Sequence, residues 1–191
     1  MTELSLDRNT TALVVIDLQK GIASFPKLAP RSSQEVIANA SKLAGAFRAH
    51  GMPIFLVRVV VTPEIAFRPI ADESRSTHPG PRPSDWSDMV SELGQVPSDI
   101  VITKHQVGAF YGTDLELQLR RRRIETIVLC GIATDSGVES TARFANDYGF
   151  QQVFAEDAMT SRSEERHEGA LAFFRRAGRV RSTDEIVKAI E

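Results

Sequence analysis

The stretch IVLCGIATDSGVESTARFAND, residues 127 to 147, decides the fold. Its first half is a short apolar run rich in β-branched residues, and such a run suits a strand buried on both faces of a parallel sheet. Its second half carries the composition of a helix. With only a few polar residues between them, the chain must turn sharply from strand to helix, which is the repeating joint of an α/β protein. Gly137 falls in the first turn of that helix, where a glycine costs roughly 1 kcal/mol relative to alanine. Either the cost is incidental or the missing side chain leaves room for something.

The same alternation runs outward in both directions. TALVVID (11–17) is a second apolar run ending in a carboxylate, and PIFLVRVVV, DIVITK and QQVFAED repeat the theme. Between them, SSQEVIANASKLAGAFRAHG (32–51) opens with a Ser32 to Glu35 capping box, repeats apolar groups at Val36, Ala40, Leu43, Ala44 and Phe47, and closes at Gly51. A helix is expected over 113–123, with Thr113 as N-cap, Glu116 completing the box and Arg120 to Arg123 at its solvated end. Another is expected over 134–148, with Thr134 and Asp135 as its caps. SEERHEGALAFFRRAG adds a third, in which His167 reads as solvated, before a short strand RVRS and a terminal helix. The pattern specifies a doubly wound α/β sandwich. Residues 62–99 are irregular and proline-rich, and read as a lid or subunit contact with a short helix around SDWSDMVSELG.

Composition narrows the ligand. At 191 residues with 42% hydrophobic content, the chain suits one domain, 1–191, with one site. A formal charge of -2 gives no electrostatic reason to expect nucleic acid or a membrane as partner, so a small molecule is the expected ligand. Cys130 is the single cysteine, the N-terminus lacks the pattern of a signal peptide, and no apolar run suits a bilayer span. A cytoplasmic setting is the expectation.

In an open parallel sheet, ligands bind beyond the carboxyl ends of the strands. Asp17 ends the first strand, Lys104 ends DIVITK, and GIATDSG follows the strand at 125–132, so all three share one rim. Each has an ordinary reading as a loop cap, a solvent-reaching lysine or a turn glycine. Their convergence favours a site.

TALVVIDLQKGI, Lys104 followed by GAFYGTDLELQL, and IVLCGIATDSGVESTARFANDYGF together resemble the isochorismatase-like hydrolase superfamily, and the likeness runs nearly end to end. It implies a three-layer α/β sandwich with a six-stranded parallel sheet flanked by helices, in homodimers or larger homo-oligomers. In the cysteine-hydrolase branch, an aspartate and a lysine activate a cysteine at the helix N-terminus. The matching positions here are Asp17, Lys104 and Gly137, so the nucleophile is missing and covalent attack on an amide loses its usual route. Cys130, at the strand end, reads as inert, and Ser136 points about 100° away from position 137.

The resemblance also covers members with glycine at this position, which cleave a vinyl ether without an enzyme nucleophile. On that basis Asp17 is expected to act as the acid, with its pKa raised by burial, and Lys104 to hold a substrate carboxylate or balance charge. Gln19 could orient water or substrate, while Phe25, Phe110 and Tyr111 are candidate pocket walls or core packing. The backbone of Ala133 and Thr134 could contact substrate. A non-proline cis peptide near Ile132 and Ala133 is also implied. No cofactor and no metal are expected, since the four histidines at 50, 78, 105 and 167 have no ligand spacing; of these, His78 and His105 are the candidates for the site. The residues around 132–135 and after Lys104 depart from the siderophore-type pattern, so a different substrate is implied. A catalytically inactive binding or scaffold module, and an amidohydrolase using direct water attack, are the alternatives.

Overall fold

The computed structural model describes residues 4–62, 70, 72 and 82–190. Its strands are β1 (Thr11–Ile16), β2 (Ile54–Val59), β3 (Ile100–Lys104), β4 (Thr126–Ile132), β5 (Gln151–Thr160) and β6 (Arg179–Arg181). All pair in parallel in the order β3-β2-β1-β4-β5-β6. The helices are α1 (Lys20–Ala23), α2 (Ser33–Ala49), α3 (Leu115–Arg121), α4 (Glu139–Asp147), α5 (Glu164–Ala177) and α6 (Thr183–Ile190). The strand order reverses between β1 and β4, and that switch is where a doubly wound sheet opens a crevice.

Every residue of β1 is buried, as its unbroken apolar run requires. Alternate side chains serve opposite layers. Leu13 and Val15 join the core under α2 and α6, with Val36, Leu43, Phe47 and Ile186. Ala12, Val14 and Ile16 join the other core, with Leu115, Leu119, Ala142, Ala145, Leu171 and Phe174 from α3, α4 and α5. The sheet is thus covered on both sides, the three-layer sandwich the sequence pattern specified. The Ser32 to Glu35 capping box of α2 is formed: the Ser32 side chain accepts from the Glu35 N–H, and Glu35 accepts from the Ser32 N–H at 2.8 Å.

Two helix starts differ from the sequence reading. The third helix begins at Leu115 without a capping box. Thr113 Oγ1 does accept from the Leu115 N–H at 3.2 Å, but Glu116 faces Arg120 across one turn instead of folding back. Arg120 donates to the Tyr148 carbonyl at 2.6 Å and covers the Phe150 ring, which ties the helix end to the chain after α4. The helix expected over 134–148 opens with a π-turn, Thr134–Val138, before α4. Ala133 O accepts from the N–H groups of both Ser136 and Val138, so one carbonyl anchors a widened turn. Neither Thr134 nor Asp135 caps it, because the N-cap position belongs to Ala133.

The expected helix around 84–94 is a turn followed by a short 3-10 segment, Ser91–Leu93. This part of the 62–99 segment is a strap. The N–H of Lys20 donates to Asp88 O at 2.9 Å, that of Gly21 to Trp86 O at 3.0 Å, and that of Val90 to Leu18 O at 3.0 Å. Trp86 is 7% exposed, and burying an indole anchors the strap by more than any one of those hydrogen bonds. The remainder, 63–69, 71 and 73–81, lies outside the described residues, and with it His78.

Candidate active site

Asp17 leaves β1 with φ 53°, a backbone conformation uncommon for a residue other than glycine. Its N–H donates to Val57 O at 2.9 Å, which holds the residue against the end of β2. In this position its carboxylate meets Lys104, which reaches across from the end of β3: Nζ lies 2.8 Å from Oδ2. The same ammonium donates to the Val107 carbonyl. Asp17 is 5% exposed and Lys104 1%, so the pair is almost wholly removed from water. Its partner oxygen, Oδ1, is buried and has no hydrogen-bond partner among the described residues.

Burial and charge act on Asp17 in opposite senses. Desolvation raises its pKa and is the larger effect; the charge of Lys104 and the hydrogen bond to it lower the pKa, and the net direction is upward. A carboxyl with a raised pKa and an unsatisfied oxygen is suited to giving and taking a proton.

The floor of the site comes from β4 and the π-turn. At Gly131, φ is 124°, and a Cβ there would lie 2.0 Å from Ile16 O, so the close passage of the ends of β1 and β4 demands glycine. At Gly137 the demand is milder: a Cβ would stand 3.0 Å from Asp17 Oδ2, 3.0 Å from Ile16 Cγ2 and 3.5 Å from Lys104 Nζ. Gly137 therefore faces the Asp17–Lys104 ion pair directly. The three residues placed on one rim by sequence meet within one contact shell. The peptide bond between Ile132 and Ala133 is cis.

The other sequence candidates are placed as follows. Gln19 is fully buried, and its carboxamide is spent on backbone: Oε1 accepts from the Val59 N–H at 2.8 Å, and Nε2 donates to Val59 O and Trp86 O at 3.1 Å each. It fastens the β1 end to the β2 end and to the strap. Phe25 is half-buried beneath the Arg162 guanidinium. Phe110 is buried and stacks on Phe150 in the core beside α3 and α4. Tyr111 is 71% exposed. Ala133 is half-buried and gives its carbonyl to the π-turn.

Thr134 is buried, and its Oγ1 lies 2.9 Å from Nδ1 of His167. The solvated reading of His167 is therefore corrected: it is 1% exposed. A helical stripe carries the missed signal, since His167, Ala170, Leu171 and Phe174 recur at i, i+3, i+4 and i+7 and all are buried. Burial, followed by the Arg31 charge, holds the His167 pKa below its ordinary value. Next to it, Asp135 accepts from Ser161 Oγ and pairs with Arg166 at 3.5 Å, so the π-turn is tied to α5 and to the end of β5.

Cys130 is fully buried, and burial pushes its thiol pKa far up, as an inert cysteine requires. Ser136 is exposed. His105 is exposed, with Nδ1 2.8 Å from Val60 O. Among the described residues no group of three His, Cys, Asp or Glu side chains converges as a metal-ligand set, and no helix is long and apolar enough to cross a membrane.

Comparison with known proteins agrees with this architecture. Residues 11–185 match the model of the isochorismatase domain. The isochorismatase family protein YecD of Escherichia coli O157:H7 is 50% identical over 191 residues, covering 98% of this chain and 100% of that one. A relative of solved structure, an isochorismatase family protein from Burkholderia thailandensis, superposes with a TM-score of 0.91 at 40% identity over 99% of each chain. More distant relatives carry named activities. The ureidoacrylate amidohydrolase RutB of Methylobacterium radiotolerans is 29% identical over 88% of this chain and 74% of its own. The N-carbamoylsarcosine amidase of an Arthrobacter species is 26% identical over 96% of this chain and 72% of its own.

Proposed function

The chain belongs to the isochorismatase family, whose relatives include hydrolases, and from that premise we propose that it hydrolyses a small, carboxylate-bearing metabolite of vinyl ether type, without cofactor or covalent intermediate. The observation that carries the reading is the Asp17 carboxyl: buried, raised in pKa, bound through Oδ2 to Lys104, and facing a glycine.

Protonated Asp17 delivers its proton to the terminal carbon of the enol ether, and positive charge develops as an oxocarbenium ion. Lys104 holds the resulting carboxylate in place and balances its charge. Water adds to the oxocarbenium carbon and returns a proton to Asp17. The hemiketal then breaks its carbon–oxygen bond to give a keto acid and an alcohol. No step needs a thiol, and Gly137 is the space where the cysteine-using relatives would hold one.

The names of the amidohydrolase relatives favour a second reading, in which Asp17 acts as base and water attacks an amide directly. One experiment separates the two. Purified wild type and Asp17→Asn are assayed on isochorismate-type vinyl ethers and on ureido and N-carbamoyl amides. Vinyl ether cleavage that falls at least about a hundredfold in Asp17→Asn is expected. Equal rates in both proteins remove Asp17 from the mechanism, whereas amide cleavage that survives thiol alkylation establishes the second reading.

A further inference from the structure

Across the sheet from the acid–base pair lies an open cavity of about 560 Å³, lined by Arg58, Asp88, Met89, Ser91, Gln95 and Val101 among others. Register fixes its side of the sheet. Arg58 pairs with Thr103 and Val59 with Lys104, and neighbouring residues of a strand face opposite ways, so Arg58 and Thr103 project away from the layer that Lys104 enters. The size is that of a small-molecule site.

Arg58 is the feature that calls for a ligand. It is half-buried on β2, where a strand residue of a covered sheet is ordinarily apolar. Nε donates to Thr103 Oγ1 at 3.1 Å, which fixes the plane of the guanidinium. The two terminal nitrogens have no hydrogen-bond or ion-pair partner among the described residues. A fixed, partly dehydrated guanidinium with its fork unengaged fits two oxygens of one anion. Gln95 adds a carboxamide to the same wall. Asp88 is the opposing charge, but Lys20 already stands 3.6 Å from it and its side chain is 56% exposed, so water and the ammonium offset it.

The cavity is also joined to the catalytic loop. Met89, on its wall, bridges to Gln19, and Asp88 and Val90 hydrogen-bond to Lys20 and Leu18. Whatever links Arg58 to this strap clamps the three residues that follow Asp17.

We propose that this cavity binds a small oxyanion, a carboxylate or a phosphate monoester, and that its occupancy stiffens the segment 18–20 behind Asp17. Binding is independent of the activity assigned above; only the consequence for the site rests on that reading.

The test uses the whole chain and no substrate. Inorganic phosphate and succinate are titrated calorimetrically against sodium chloride at matched ionic strength, and amide exchange of Lys20 and Val90 is followed with and without each anion. Saturable binding of at least one anion is expected, with the two amides exchanging severalfold more slowly when it is bound, and the stronger of the two identifies the ligand class. Arg58→Gln should weaken binding at least about tenfold. Val101→Trp, which fills the cavity and keeps the guanidinium, should do the same and decides the matter if Arg58→Gln folds poorly. Gly137→Ala, altered at the acid–base site but not in this cavity, should bind as wild type does, which separates the two sites. No saturable binding, an equal effect from chloride, undiminished binding in Val101→Trp, or loss confined to Gly137→Ala overturns the site. Binding without slowed exchange overturns the link to Asp17.

Discussion

The carboxylate of Asp17 and the ammonium of Lys104 meet at 2.8 Å although they arrive from strands with another strand between them. Neither is adequately placed without the other, because removing one member of a buried pair strands the second in a low-dielectric setting.

Lys104→Met should therefore unfold more easily, and in a pH-dependent way. The folded Asp17 pKa lies above its unfolded value, so its stabilising contribution is complete below the unfolded value and is lost as pH rises through the folded one. Lys104 supplies both effects that pull this pKa down. Without it, the gap widens, and the variant should lose about 3–5 kcal/mol near neutral pH and regain part of that in acid. Urea unfolding at about pH 5 and about pH 8 tests this; a deficit that is the same at both would show that Asp17 does not carry it.

Gly137→Ala places a methyl group 3.0 Å from Asp17 Oδ2 and from Ile16 Cγ2. Room for it requires the carboxylate or the β1 end to shift by a few tenths of an ångström, at a cost of about 1–3 kcal/mol that the roughly 1 kcal/mol gained by alanine over glycine in this turn offsets in part. Hydrolysis should fall by more than stability explains, as seen by comparing kcat with the midpoint of thermal unfolding. Full activity in Gly137→Ala would mean that the space over this glycine is not used.

The architecture was legible in the apolar runs and caps because burial on both faces leaves an unmistakable pattern in strands such as 11–16. The meeting of Asp17, Lys104 and Gly137 was legible too, from the rule that strand ends share a rim. What escaped was the work done by neutral or ambiguous side chains. Gln19 looked free to reach a ligand, yet three backbone groups use its carboxamide. Thr134 looked like a helix cap, but the π-turn moved the cap to Ala133 and freed the hydroxyl for His167. A charged neighbourhood hid the burial of His167, although the helical spacing contained it.

That histidine should make the protein sensitive to mild acid. Its folded pKa lies below the unfolded value, so its contribution is present above the unfolded value and disappears as pH falls through the folded one. The groups bearing on it are Arg31, Glu168, Arg175 and Asp135. His167→Gln should lose about 1 kcal/mol near pH 8 with the bond to Thr134. In acid the gap to wild type should close, because the variant has no proton to take up. Calorimetric unfolding across that range would show the two curves converging; parallel curves would mean that the imidazole is not held neutral.

Gln19→Glu tests whether this side chain is a fastener or a ligand contact. A carboxylate can still accept from the Val59 N–H, but it cannot donate to the Val59 and Trp86 carbonyls, which then confront a negative charge without water. Leaving such groups unsatisfied costs about 1–3 kcal/mol each. Protonation restores a donor, so the variant should be least stable at high pH and recover as pH falls. The strap should loosen in step, which limited chymotryptic cleavage after the buried Trp86 would register as a rate above that of the wild type at high pH and close to it at low pH. Were Gln19 chiefly a contact for water or substrate, the exchange would change turnover and leave both the unfolding midpoint and the cleavage rate where they were.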